Sequence, residues 1–135
     1  MPNPKRPASP KREGPNYSTS TTTGIEPNVA AALSYILALV TGIIFLLMEK
    51  ENRYVRFHAA QSIAVSVIVI GLSIGVSMIS GVLVFIPVLG WVAVLLLTLG
   101  LAVGIFALWV VLMWKAYQGE TWELPVAGGI ARRFM

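Results

Sequence analysis

The sequence predicts an all-α membrane protein with three transmembrane helices. A hydrophobic turn joins the second and third, and a short interfacial helical lead-in precedes the second. Three observations carry this reading. Hydrophobic residues make up 56% of the 135-residue chain, and charged residues only 12%, about half the usual supply of a soluble domain. The mean hydropathy is +0.77. The charges are confined to a few short stretches, so the apolar runs between them are long enough to cross a bilayer. Together these exclude an ordinary soluble globular domain and a disordered chain. With so high an apolar share and so few charges, the net charge of +4 does not make it an ordinary basic nucleic-acid binder. There is no cysteine, which removes disulfides, thiolate nucleophiles and cysteine metal sites.

Residues 1–27 read as a disordered or extended basic tail rich in Pro, Ser and Thr. Five prolines fall within the first fifteen residues, and Ser18 to Thr23 offers no apolar face. The tail does not read as a signal peptide, since the apolar run begins too far from the basic residues. It is either a solvating tail or an arm that docks on a partner or on anionic lipid.

The transmembrane domain covers residues 28–117, with spans at about 29–48, 59–80 and 88–114. Pro27 and Asn28 mark the first helix start. Val29 to Met48 carries no charge, and its twenty residues reach about 30 Å as a helix. The segment EKENRYVRFH, Glu49 to His58, reads as a turn followed by the lead-in, with Arg53, Arg56 and Phe57 suited to the headgroup level. The second span is rich in small residues. Ser62 and Ser66 are four apart, and Gly71 and Gly75 form a GxxxG pair, which lets another helix approach closely. The uncharged run from Gly81 to Trp114 is about 51 Å if helical, too long for one span and too short for two. Pro87 cannot donate a backbone hydrogen bond and restricts Ile86, which places a tight turn near 81–88. The third span carries a second GxxxG, Gly100 and Gly104, so spans two and three are expected to pack together. Residues 118–135 read as an interfacial C-terminal tail, and Trp109, Trp114, Tyr117 and Trp122 cluster near the exit as an aromatic belt.

Three spans place the 49–58 loop and the C-terminus on one side. Lys50, Arg53, Arg56 and Lys115 lie close to the membrane there, so that side is expected to be cytoplasmic and the N-terminus outside. The expected location is the inner, cytoplasmic membrane. The four basic residues of the tail vote the other way, and placing them inside would need an even number of spans or a re-entrant segment.

The inventory argues against an enzyme. There is no Asp, all six acids are Glu, and none lies within a span. HExxH and phosphate-loop patterns are absent. No catalytic residue, metal or cofactor is expected. The one histidine, His58, either bonds with Gln61 to backbone, headgroup or a neighbouring helix, or joins Arg56 and Gln61 in contact with a partner, lipid or pigment. Expected partners are membrane lipids and other integral membrane subunits, with no nucleic acid. The sequence fits an accessory or structural subunit of a larger membrane complex. The alternative is a translocation or transport component.

The strings NVAAALSYI, ENRYVRFHAAQS and MWKAYQGETWELPVAG resemble the Tic20-like family of small membrane proteins, DUF4870, over residues 28–127. That resemblance implies a small helical membrane domain. Some of its members are linked to chloroplast protein import, and it implies no catalytic residues.

Overall fold

The computed structural model describes residues 21–135. It contains five α-helices: α1 (Pro27–Leu33), α2 (Leu39–Met48), α3 (Arg53–Leu83), α4 (Leu89–Tyr117) and α5 (Ala127–Ala131). A 3-10 turn, Arg132–Phe134, follows α5. Of the expected tail, residues 1–20 lie outside the described residues. The rest of it turns at Gly24 and docks on the α2–α3 connection.

Two helices are long and apolar enough to cross a membrane, α3 with 31 residues and α4 with 29. They are antiparallel, joined by a turn at residues 84–88. Gly90 makes this turn possible, because a Cβ there would overlap the Leu83 carbonyl. Trp91 Nε1 donates to the Val84 carbonyl across the same turn at 3.1 Å. The turn lies where Pro87 placed it, and both helices are longer than expected. The lead-in is not a separate interfacial piece but the first turns of α3. Asn52 caps that helix, accepting hydrogen bonds from the Tyr54 and Val55 N–H groups at 3.0 and 3.3 Å.

The expected first span, 29–48, is not one continuous helix. Pro27 starts α1 at the first helical position, where its missing N–H costs nothing. The helix stops after Leu33. Residues 34–38 form a turn, Ala38 adopts a φ of +46°, and α2 begins in the opposite sense. The contacts define this reversal. A Cβ on Gly119, just past the end of α4, would lie 3.4 Å from the Asn28 side chain at the start of α1. Trp109 donates to the Tyr35 carbonyl at the turn. On the return, Ser62 reaches Ala38, and Arg56 reaches Leu46 and Glu49. Thr22, before α1, hydrogen-bonds Glu49, after α2. The hairpin therefore begins and ends at the same end of the α3–α4 pair, whereas three full spans would have separated these points.

Carbonyls that a turn frees within an apolar region need donors, and here side chains supply them. Trp109 Nε1 donates to Tyr35 O at 2.5 Å, Thr41 Oγ1 to Ser34 O at 2.9 Å, and Ser62 Oγ to Ala38 O at 3.3 Å. Gly42 brings α2 against α3: a Cβ there would overlap Ser62 Oγ and lie 3.0 Å from Ala59 O.

The C-terminal segment makes a second excursion from the same end. It runs along α3, where Gln61 donates to the Trp122 carbonyl, and reverses at Val126 with a φ of +52°. It returns as α5, whose Ala131 packs on Phe57 and Ala60. It is thus not a purely interfacial tail. The core lies entirely in this half of the molecule: Ala31, Tyr35, Tyr54, Leu112 and Ala116 form its main cluster. Beyond Ser66 on α3, and between Trp91 and Val111 on α4, no residue is buried.

Candidate functional site

Polar side chains concentrate where α1, α3, α4 and the C-terminal excursion meet. Burying them is costly unless they find partners. Tyr54 Oη donates to the Ala116 carbonyl at 2.6 Å, tying α3 to the end of α4. Tyr35 Oη and His58 Nδ1 share a hydrogen bond of 3.1 Å, tying the hairpin turn to α3. Gln61 Nε2 donates to Trp122 O at 3.0 Å, tying α3 to the C-terminal excursion. The His58 ring meets Tyr54, Phe57 and Tyr35 edge-on, with centroids 4.6, 5.2 and 5.8 Å away. His58 and Gln61 are therefore buried inside the fold, bonded to Tyr35 and to the Trp122 carbonyl. The first turns of α3, which carry them, are walled in by the hairpin and by the C-terminal segment.

A second knot sits at the α2–α3 connection. Glu49 is fully buried and accepts five hydrogen bonds, from Thr22 N to both carboxylate oxygens, Thr22 Oγ1, Glu51 N and Asn52 N, at 3.0 to 3.2 Å. Burial alone pushes the carboxyl pKa up. The N–H and hydroxyl donors outweigh it and hold the group below its ordinary value. Arg56 clasps three segments, donating to Glu49 O at 2.8 Å, Phe134 O at 3.0 Å and Leu46 O at 3.3 Å.

The remaining expected residues divide clearly. Ser62 and Ser66 are buried and bonded to carbonyls, Ser66 Oγ to Ser62 O at 2.7 Å. Arg53, Trp114, Tyr117 and Trp122 are exposed at the charged end. Gly71, Gly75, Gly100 and Gly104 do not close the α3–α4 contact within this chain, since a Cβ on any of them would meet no atom within 4 Å. Gly100 and Gly104 instead border an apolar groove of about 410 Å³ between α3 and α4. The close approaches occur at Gly42, Gly90 and Gly128, which spacing did not single out. Glu49 was also missed, because its main partner lies 27 residues earlier. Asn52 carried a readable signal, an Asn directly before a helix.

Among the described residues, no three His, Cys, Asp or Glu side chains come together to hold a metal. Glu120 and Glu123 are paired with Lys115 and Arg132 at 2.6 Å in exposed ion pairs. The arrangement joins chain segments: the hydrogen bonds of Tyr35, Tyr54 and Gln61 each tie one segment to another.

Two long apolar helices with a buried polar seam at one end define a small multi-pass α-helical membrane protein. Residues 23–131 match the magnetosome magnetite crystal formation protein family, MamF/MmsF, and the chain belongs to that family. It is 42% identical over 118 residues to a UPF0132 membrane protein of Methanocaldococcus jannaschii, covering 87% of this chain and 96% of the relative. A UPF0132 membrane protein of Archaeoglobus fulgidus is 44% identical over 111 residues, covering 81% and 95%. A second M. jannaschii relative is 38% identical over 111 residues, covering 82% and 71%. No solved structure matches. These matches overturn the Tic20-like, DUF4870 resemblance. The strings that suggested it belong to the buried seam and its edges.

Proposed function

We propose that this protein is a non-catalytic structural subunit of a membrane assembly. In this reading α3 and α4 cross the bilayer, while the α1–α2 hairpin enters and leaves from one side. The observation that carries it is where the polar groups go. Ser62, Ser66, Ser77 and Thr98 all bond backbone carbonyls, and the grooves between α3 and α4 and between α1 and α4 are lined almost entirely by apolar side chains. A third groove, of about 480 Å³, holds Ser73 and Ser77 but lies on α3 alone, and Ser77 Oγ there donates to the Ser73 carbonyl. A transport route would need polar groups facing a path. The bare glycine faces at Gly71/Gly75 and Gly100/Gly104 are the surfaces offered to a neighbouring subunit. Arg53, Trp114, Tyr117 and Trp122 are the groups offered to headgroups or to that neighbour. The family takes its description from magnetite crystal formation; among the described carboxylates Glu49 is enclosed, Glu120 and Glu123 are ion-paired, and Glu26 and Glu51 are exposed.

Lys50, Arg53, Arg56, Lys115, Arg132 and Arg133 all belong to one end, and residues 83–89 carry no charge. The preference of basic residues for the cytoplasm puts that end inside. Residues 22–28 share it, so the N-terminal segment is cytoplasmic in this reading, reversing the three-span orientation. Single cysteines test this cleanly in a chain that has none. Glu26→Cys and Gln118→Cys should react with an impermeant maleimide only after lysis, and Phe85→Cys in intact cells. Labelling of Glu26→Cys and Gln118→Cys from opposite sides would sink the hairpin placement. Mild-detergent purification from the native membrane, followed by sizing and mass analysis, tests the subunit role. A stoichiometric larger complex supports it, and a lone monomer or homo-oligomer refutes it.

A further inference from the structure

The two halves of the molecule differ in how many chain segments pass through them. At the charged end α1, α2, α3 and α4 lie side by side, and the C-terminal excursion packs along α3 as well. At the other end only α3 and α4 continue. The hairpin turn sits level with Ser62 and Trp109, ten residues from the Asn52 cap. At 1.5 Å per residue this is about 15 Å from the cap, against about 46 Å for the whole of α3, so the hairpin occupies about the first third of the long-helix pair. The step in cross-section therefore lies on the charged-end side of the pair's midpoint.

We infer that the protein is a wedge whose partner is a curved lipid surface, and that it favours membranes whose charged-end leaflet is convex. The inference rests on the membrane placement proposed above. A helix with its side chains is about 10–12 Å across, so four helices occupy roughly 400 Å² in one leaflet and two occupy roughly 200 Å² in the other. Inserting unequal areas into two coupled leaflets expands one relative to the other. Bending toward the smaller area relieves the mismatch, as lipid-packing-sensitive helices do when they enter one leaflet only.

Two features keep the wedge from collapsing. The hairpin is anchored by Tyr35–His58, Trp109–Tyr35 and Ser62–Ala38 hydrogen bonds, so it does not unfold into a third span. The C-terminal excursion is held by Gln61, by Arg56 and by Ala131 against Phe57. Both excursions enter from the charged end, so their areas add in the same leaflet.

The test uses the full chain with a single cysteine at Glu26 or Gln118. Each variant is reconstituted into one mixture of small sonicated and large extruded vesicles containing a fluorescent lipid. Protein per unit lipid area is read vesicle by vesicle, and sidedness is read by impermeant maleimide. The expected result is a higher protein density per lipid area in the small vesicles than in the large ones. Both cysteines should be labelled from outside there, where the outer leaflet is convex. Both cysteines on one side with equal density in all vesicles overturns the wedge and leaves the placement standing. Enrichment with the charged end facing inward overturns its sense. The two cysteines on opposite sides overturn the placement and the wedge together.

Discussion

Replacing Gly42 with alanine tests whether the hairpin is clamped to α3 as the geometry requires. The new methyl would overlap Ser62 Oγ and stand 3.0 Å from both Ala59 O and Ile63 Cγ1. Ser62 can escape only by rotating its hydroxyl, which now bonds Ala59 O at 2.9 Å and Ala38 O at 3.3 Å. Losing the second bond frees a turn carbonyl, at about 1 kcal/mol. Crowding the backbone contact adds about 1–3 kcal/mol. Alanine returns about 1 kcal/mol through its better helix propensity. The net expectation is a loss of about 1–3 kcal/mol. Thermal unfolding in a fixed mild detergent measures it, with Gly100→Ala as the control. A Cβ on Gly100 meets nothing within 4 Å, so that variant should unfold at or slightly above the parent temperature. The Gly42→Ala/Ser62→Ala double variant removes the overlapping oxygen and should lose less than the two single losses added together. Equal behaviour of Gly42→Ala and Gly100→Ala would refute the clamp.

Three further outcomes are expected. The Glu49 carboxyl is held below its ordinary value, so its contribution to stability is complete above the unfolded carboxylate range and is lost as pH falls through the lowered folded value. Glu49→Gln should flatten that acid-side slope and cost about 1–3 kcal/mol at neutral pH; an unchanged slope refutes the knot. Trp109→Phe removes the donor to Tyr35 O, so amide exchange should quicken at residues 34–38 and not at the 84–88 turn. Tyr54→Phe should lower thermal stability by about 1 kcal/mol through loss of its bond to Ala116 O, and an unshifted melt would remove that bond from the account.

The long helices and the Pro87 turn were legible because they depend on local rules: apolar length, missing charge and a proline. The hairpin was not. Val29 to Met48 satisfies the length rule for a span as well as any run in the chain. Its break depends on donors that arrive from Ser62 and Trp109, far along the sequence. The same distance hid the seam. The lead-in up to His58 reads as interfacial because it mixes aromatic and basic residues, yet Tyr54, Phe57 and His58 are each covered by other segments, as is Gln61 just beyond it. Glycine spacing misled in the other direction. GxxxG pairs mark faces that permit close approach, while Gly42, isolated in its helix, marks the place where close approach occurs.

The hairpin turn also constrains the order of events during synthesis. Tyr35 emerges 74 residues before Trp109, its partner across the turn. Until α4 has been made, one of the donors that stabilise the turn does not exist. Early in synthesis residues 29–48 are therefore an apolar segment without its final shape, free to sit as a provisional span or at the surface. The last long helix to be made completes the fold of the first, so a chain truncated before Trp109 should fail at its N-terminal end.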